Sequence, residues 1–285
     1  MAGRGGRLRH AGLVCLALAL AMPAAAQTIT RAQMDLLGSL DTRMDQMKQG
    51  EVSLDIGAGT ILITRLGPMA SKVHPIVPYL SLRYHDWLAW DENELRVNII
   101  RPDSGAGGSG WRAGPMVKVD IGRGRFGAPE LKALPAIGLT PEVGAFASYT
   151  IGPARIRLNA RTAVSDAGHG GSTIELNLRS GLYENGGFGL AAETEATWVS
   201  GRYMRAFYGV NTSQANARLP AFMPGGGFKD VSVSVMGQYH FNPRWSLIGV
   251  TQYVHLLGDA ADSPLTTRRG SLNRLNFGSF VVYTF

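Results

Sequence analysis

Residues 155–164 read RIRLNARTAV, and their alternation decides the fold. Ile156, Leu158, Ala160, Thr162 and Val164 fall on one side, while Arg155, Arg157, Asn159 and Arg161 fall on the other. A period of two over ten residues describes a strand with one apolar and one polar face. The pattern repeats in STIELNLRSGLY (172–183), where Ile174, Leu176, Leu178 and Leu182 oppose Thr173, Glu175, Asn177 and Arg179. In FGLAAETEATWV (188–199), Phe188, Leu190, Ala192, Ala196 and Trp198 oppose Glu193 and Glu195. In DVSVSVMGQYHF (230–241), Val231, Val233, Val235, Tyr239 and Phe241 oppose Ser232, Ser234, Gln238 and His240.

A soluble β-sandwich also alternates, but its apolar faces meet in a shared core. Here the apolar sides carry aromatics near strand ends: Tyr149, Trp198, Tyr239, Phe241, Tyr253, Tyr283 and Phe285. Aromatics in that position suit the girdles of a transmembrane β-barrel, whose strands run about ten residues. The last strand, RLNFGSFVVYTF (274–285), ends on Phe285, with Tyr283, Val281, Phe277 and Leu275 on the same face. A terminal strand in water usually frays, so this apolar row favours lipid as its surroundings. The expected fold is therefore all-β, a transmembrane antiparallel β-barrel over residues 51–285.

The amino-terminal end agrees. Arg4, Arg7 and Arg9 precede the short apolar stretch AGLVCLALALAM, and PAAAQ follows, with Ala24 and Ala26 at the small-residue positions of a cleavage site. That is the order of a secretory signal peptide over residues 1–26. The apolar stretch is shorter than a spanning helix requires. Cys15 lies within it, so the expected mature chain has no cysteine and no disulfide scaffold. Residues 27–50 place Met34, Leu37, Leu40, Met44 and Met47 at helical spacing, which predicts a short helical or tail segment. The whole chain holds 28 basic and 21 acidic residues; without the three leader arginines the balance is 25 to 21, or +4. So mild an excess gives no reason to expect a nucleic-acid partner.

Turn signals give the topology. Short connections fall at YHDW, RPDSGAGGSG, TIGPAR, YENGGF and HFNPRW; long ones span 123–140, 201–227 and 259–271. Short periplasmic turns alternating with long extracellular loops place the carboxyl terminus in the periplasm. The count is even only if DWLAWDENELRVNII forms two strands hinged at Asp91–Glu94. About twelve strands result.

On this facing the lumen collects Arg155, Arg157, Arg161 and Arg179 beside Glu175, Glu193 and Glu195. Opposite charges across an antiparallel pair attract, so the preferred reading is a salt-bridge lattice bracing the wall; the alternative is the selectivity surface of a narrow channel. A hydrolase reading would group His240 with Ser232, Ser234 and Asn177, but no G-x-S-x-G or H-E-x-x-H motif accompanies them. His74, His85, His169 and His255 are scattered, without metal-ligand spacing. Asp259 and Asp262 in LLGDAADSPL are loop acids of the kind that ordinarily meet water. Neither catalysis nor a cofactor nor a metal is expected.

The last third carries more specific signals. YMRAFYGV with the following Gln214, then LPAF, GFKDV, the turn before RWSL, LLGDAADSP, the RG before the last strand and the aromatic terminus together resemble the MipA/OmpV family of outer-membrane proteins. VPYLSLRYHDWL and PEVGAFASYTIGP resemble two of that family's hairpins. The resemblance implies a barrel in the outer membrane of a Gram-negative cell, in contact with outer-membrane lipid. It implies a scaffold joining a murein-cleaving lytic transglycosylase to a murein synthase, or a part in osmotic or antimicrobial response. Tyr283 and Phe285 match the carboxyl-terminal signal recognised by the barrel-assembly machinery.

Overall fold

The computed structural model describes residues 52–65, 72–91, 93–102, 109–123, 134, 136–217, 219–268 and 270–285. The leader at 1–26 and the helical spacing at 27–50 lie outside the described residues. Twelve antiparallel strands close into one barrel. They are β1 (Val52–Arg65), β2 (Lys72–Tyr84), β3 (Leu88–Asp91), β4 (Glu94–Val97), β5 (Gly110–Asp120) and β6 (Thr140–Ile151). They continue with β7 (Ala154–Ala163), β8 (Ser172–Asn185), β9 (Phe188–Val199), β10 (Gly227–His240), β11 (Trp245–Leu256) and β12 (Asn273–Thr284). β1 pairs with β12 through eleven residues, from Asp55 opposite Thr284 to Arg65 opposite Arg274, so no edge is left at the seam.

Both the hinge at Asp91–Glu94 and the parity it secures are present, although β3 and β4 are only four residues each. The turns at 85–87, 152–153, 186–187 and 241–244 gather at one end, and the long connections 121–139, 200–226 and 257–272, together with the Asp91–Glu94 hinge, lie at the other. By the convention of such barrels the short-turn end is periplasmic. Pro75 falls where two residues of β2 oppose one of β1, a bulge between the pairs Gly59–Val77 and Ile61–His74. A bulge tolerates a residue that cannot donate to the ladder.

The outward side chains are those that the alternation assigns: Ile156, Leu158, Ile174, Leu176, Leu178, Val231, Val233 and Val235 are all exposed. Aromatics ring the short-turn end. Trp111 meets Tyr149 at a tilt with centroids 5.1 Å apart, and Tyr239–Phe241 at 5.2 Å, Trp245–Tyr283 at 4.9 Å and Tyr283–Phe285 at 4.7 Å meet edge to face. Such a belt suits the membrane–water interface, where a ring has one apolar and one wet side.

Inside, the barrel has two unlike halves. The walls from β2 to β9 turn inward arginines and carboxylates, whereas β10–β12, β1 and the upper part of β2 enclose an apolar cluster. Ile61, Ile63, Val77, Tyr79, Met236, Ile248, Val250, Phe280 and Val282 compose it. Gly59 makes it possible, because a Cβ there would overlap Phe280 and the Ser279 carbonyl.

The long-loop end is covered. α1 (Gly201–Tyr208) follows β9, and α2 (Gly258–Asp262) and α3 (Pro264–Thr267) follow β11. Tyr203 and Met204 of α1 are fully buried with Val199 and Ala260. Arg123, beyond the end of β5, donates to the Phe207 carbonyl at 2.9 Å, which draws α1 across the mouth from the β9 side. Leu134, Val210 and Leu219 form a second apolar patch against Phe222 and Leu265.

Candidate functional site

The inner wall of β5–β9 is built from rows of residues that face one another across the ladders. One row runs Arg112, Ser148, Arg157, Asn177, Glu195, Ser232; the next, nearer the short turns, runs Thr150, Arg155, Arg179, Glu193, Ser234. Arg155, Arg157, Arg161, Glu175, Arg179 and Glu193 are all buried, and Glu195 is half-buried.

Directly facing charges do not account for the ion pairs. Across β7–β8, Arg155 faces Arg179, Arg157 faces Asn177 and Asn159 faces Glu175. On β8–β9 opposite signs meet directly at Arg179–Glu193, where Nη1 and Oε2 stand 3.7 Å apart, and on β5 Lys118 directly faces Glu142 of β6 and Glu94 of β4. The tightest contact is diagonal instead. Arg161 reaches Glu175 two places along the neighbouring strand, with Nη1 donating to Oε2 at 2.7 Å and Nη2 to Oε1. Its Nε donates to Glu142 Oε2 at 3.1 Å, and Asn159 adds a bond to Glu175 at 3.3 Å. A long, planar guanidinium spans the offset that a straight pairing would not require.

Glu142 also meets His169, whose Nε2 lies 3.2 Å from Oε1. The Gly171 N–H donates to His169 Nδ1 at 3.1 Å, so Nε2 carries the proton that faces the carboxylate. The imidazole packs beneath Tyr203 at 4.8 Å and Phe207 at 5.9 Å. The charge lattice and the apolar lid thus share one residue.

A second charged group was not legible in the sequence. Asp91 joins Arg83 at 2.5 Å and Arg96 at 2.7 Å, and Glu94 lies 3.1 Å from Arg96 and 4.0 Å from Lys118. β3 and β4 supply only two inward positions each, too few to establish a period. The apolar half of the lumen was missed for a related reason. In β12 both faces carry large apolar residues, Val281 outward and Phe280 and Val282 inward, so composition does not tell in from out.

The imagined hydrolase grouping does not assemble. His240 sits six residues along β10 from Ser234, about 20 Å at strand rise, and belongs to the short-turn end. Asp259 accepts from the Gly225 N–H at 2.6 Å, tying two long loops together. Among the described residues no three His, Cys, Asp or Glu side chains stand close enough to hold a metal ion.

Toward the short turns, between β6 and β10, the lumen widens into a cavity of about 660 Å³. Thr150, Arg155, Arg179, Met236, Gln238 and His240 line it, and the turns at 152–153 and 186–187 frame its mouth.

Among solved structures, the chain is similar to a NanC porin at 11% identity, covering 81% of this chain and 98% of that one with a TM-score of 0.42. It is similar to the translocator domain of the autotransporter NalP from Neisseria meningitidis at 11% identity, covering 92% and 96%, TM-score 0.43. OprD from Pseudomonas aeruginosa aligns at 13% identity over 82% of this chain and 65% of that one, TM-score 0.34. At these scores none of their activities carries over. No curated protein matches the chain. A family model does match, over residues 56–285, nearly the whole of the barrel from within its first strand to its terminus. A closed twelve-stranded barrel with short turns at one end and this match along its length make the chain an outer-membrane β-barrel of the MltA-interacting protein MipA family.

Proposed function

We propose that the protein is a non-enzymatic adaptor in the outer membrane whose periplasmic rim seats a murein-remodelling partner, a lytic transglycosylase or a murein synthase. Membership of a family described as MltA-interacting carries this reading. The two ends of the barrel support it. Packed helices cover the long-loop end, while the short turns and the chain's entry into β1 at Val52 share the other. A leader over residues 1–26 would be cleaved on export, leaving residues 27–50 to reach the same periplasmic rim. Tyr283 and Phe285 would present the assembly signal to the barrel-assembly machinery, and the outward apolar row would lie in outer-membrane lipid. The buried charge lattice would brace the wall.

Affinity capture of the full barrel from detergent-solubilised envelopes tests the adaptor role. A lytic transglycosylase or murein synthase should co-purify through a salt wash, and recovery should fall at least fivefold when residues 27–50 are deleted or the TIGPAR turn is replaced. Recovery unchanged by both alterations would defeat the proposal.

A further inference from the structure

We infer that the cavity at the periplasmic end of the lumen is a binding site for a small organic anion bearing a carboxylate or phosphate, held between Arg155 and Arg179. The ladder sets these two arginines directly opposite each other on β7 and β8. Both are buried, at 4% and 7% exposure, and both line the 660 Å³ cavity. Like charges directly across an antiparallel pair repel, and a carboxylate or phosphate between two guanidinium forks turns that repulsion into paired, charge-assisted hydrogen bonds.

The charges around the site favour an anion. Arg157 stands one inward position above Arg155, and Arg112 faces Ser148 in the same row. The carboxylates nearby are Glu193, 3.7 Å from Arg179, then Glu195 one inward position further, and Glu184, exposed at the mouth. Glu142 and Glu175 are engaged higher up by Arg161. Four guanidinium groups therefore meet three carboxylates, one of them in solvent.

The volume has its own cause. The inner face of the β8–β9 hairpin is built here from Gly181, Gly189 and Ala191, and a Cβ at Gly189 would meet no atom within 4 Å. A cavity of this size falls within the range that holds small-molecule ligands. Thr150, Gln238 and His240 add hydrogen-bonding groups around the arginines. Access is from the short-turn side, since α1 crosses the opposite mouth. The site does not depend on the adaptor role; it needs no protein partner.

Calorimetric titration of the full-length barrel in neutral detergent at low salt, with succinate and with inorganic phosphate, tests the inference. At least one should bind saturably, with sucrose as a neutral control that does not. Arg155→Gln should weaken binding at least tenfold. Gly189→Leu, which fills the cavity and leaves every arginine in place, should abolish it while the barrel keeps its heat-dependent gel mobility. Succinate binding would identify a carboxylate ligand and phosphate binding a phosphorylated one, and either supports the site. Saturable binding of neither anion, or binding that survives Gly189→Leu, would overturn it, and this second variant decides the matter even where Arg155→Gln fails to fold.

Discussion

Arg161 holds two carboxylates that lie on different strands, Glu142 on β6 and Glu175 on β8, while extending from β7 between them. Removing it takes their shared guanidinium from both, leaving His169 beside Glu142, the Asn159 amide on Glu175, and Lys118, which faces Glu142 from β5. Losing one member of a buried ion pair costs about 3–5 kcal/mol, because the abandoned charge stays desolvated. Arg161→Met should therefore lower barrel stability by about 3 kcal/mol or more, read as the urea midpoint of unfolding in lipid vesicles. Phe285 gives the opposite case. Its backbone N–H donates to the Leu54 carbonyl at 3.0 Å, but its side chain is 68% exposed and touches chiefly Tyr283. Phe285→Ala should leave the urea midpoint of the assembled barrel within about 0.5 kcal/mol of wild type yet reduce its amount in the outer membrane severalfold. Unchanged outer-membrane levels would remove the assembly role from this residue.

At the scale of strands, what could be read in advance depended on contrast between faces. β7 and β8 alternate arginine, asparagine and glutamate with isoleucine and leucine, so their facing was plain in RIRLNARTAV and STIELNLRSGLY. β12 offers no such contrast, and its inward Val282 and Phe280 are set by the register that places them opposite Gly57 and Gly59 of β1. The helix α1 was hidden differently. YMRAFYGV was legible as a family signature, but eight residues inside a long connection give little period from which to expect a buried Tyr203 and Met204. Nor could ladder pairing be read: that Arg155 faces Arg179 follows from the β7–β8 register, which the turn at 164–171 sets. The seam offers the sharpest test at this scale. At Gly59 an added side chain would overlap Phe280 and the backbone of Ser279 on the strand that closes the barrel. Gly59→Val should leave most of the protein without the heat-dependent shift in gel mobility that a closed barrel shows. Gly59→Val with Phe280→Ala should recover only part of it, since the backbone contact remains.

Across the whole molecule, the lumen is lined at its middle and capped at its long-loop end by different physics. Apolar side chains from β1, β2 and β10–β12 occupy one side of its middle, and the ion-paired side chains of β2–β9 face them. Above both, α1 is held over the mouth by Arg123 and by the packing of Tyr203 on His169. Barrels of this strand number lie between the filled eight-stranded type and open porins, so size alone does not decide whether ions pass. The contents decide it. The middle of the lumen sets the Arg161–Glu175 ion pair on one wall and the apolar side chains of Phe280, Val282 and Ile248 on the other, and neither favours a hydrated ion. Purified barrel in planar bilayers should therefore give no discrete conductance steps. Deleting α1 should not by itself produce them, because the ion-paired and apolar side chains of the middle stay in place below it. Breaking the lattice as well, with Arg161→Ala in the lid-deleted protein, should create steps if the lattice is the barrier. Reproducible steps from the unaltered protein, shifted in size by Arg157→Ala or Arg161→Ala, would instead make the buried arginines a selectivity surface and the protein a narrow channel for small polar solutes.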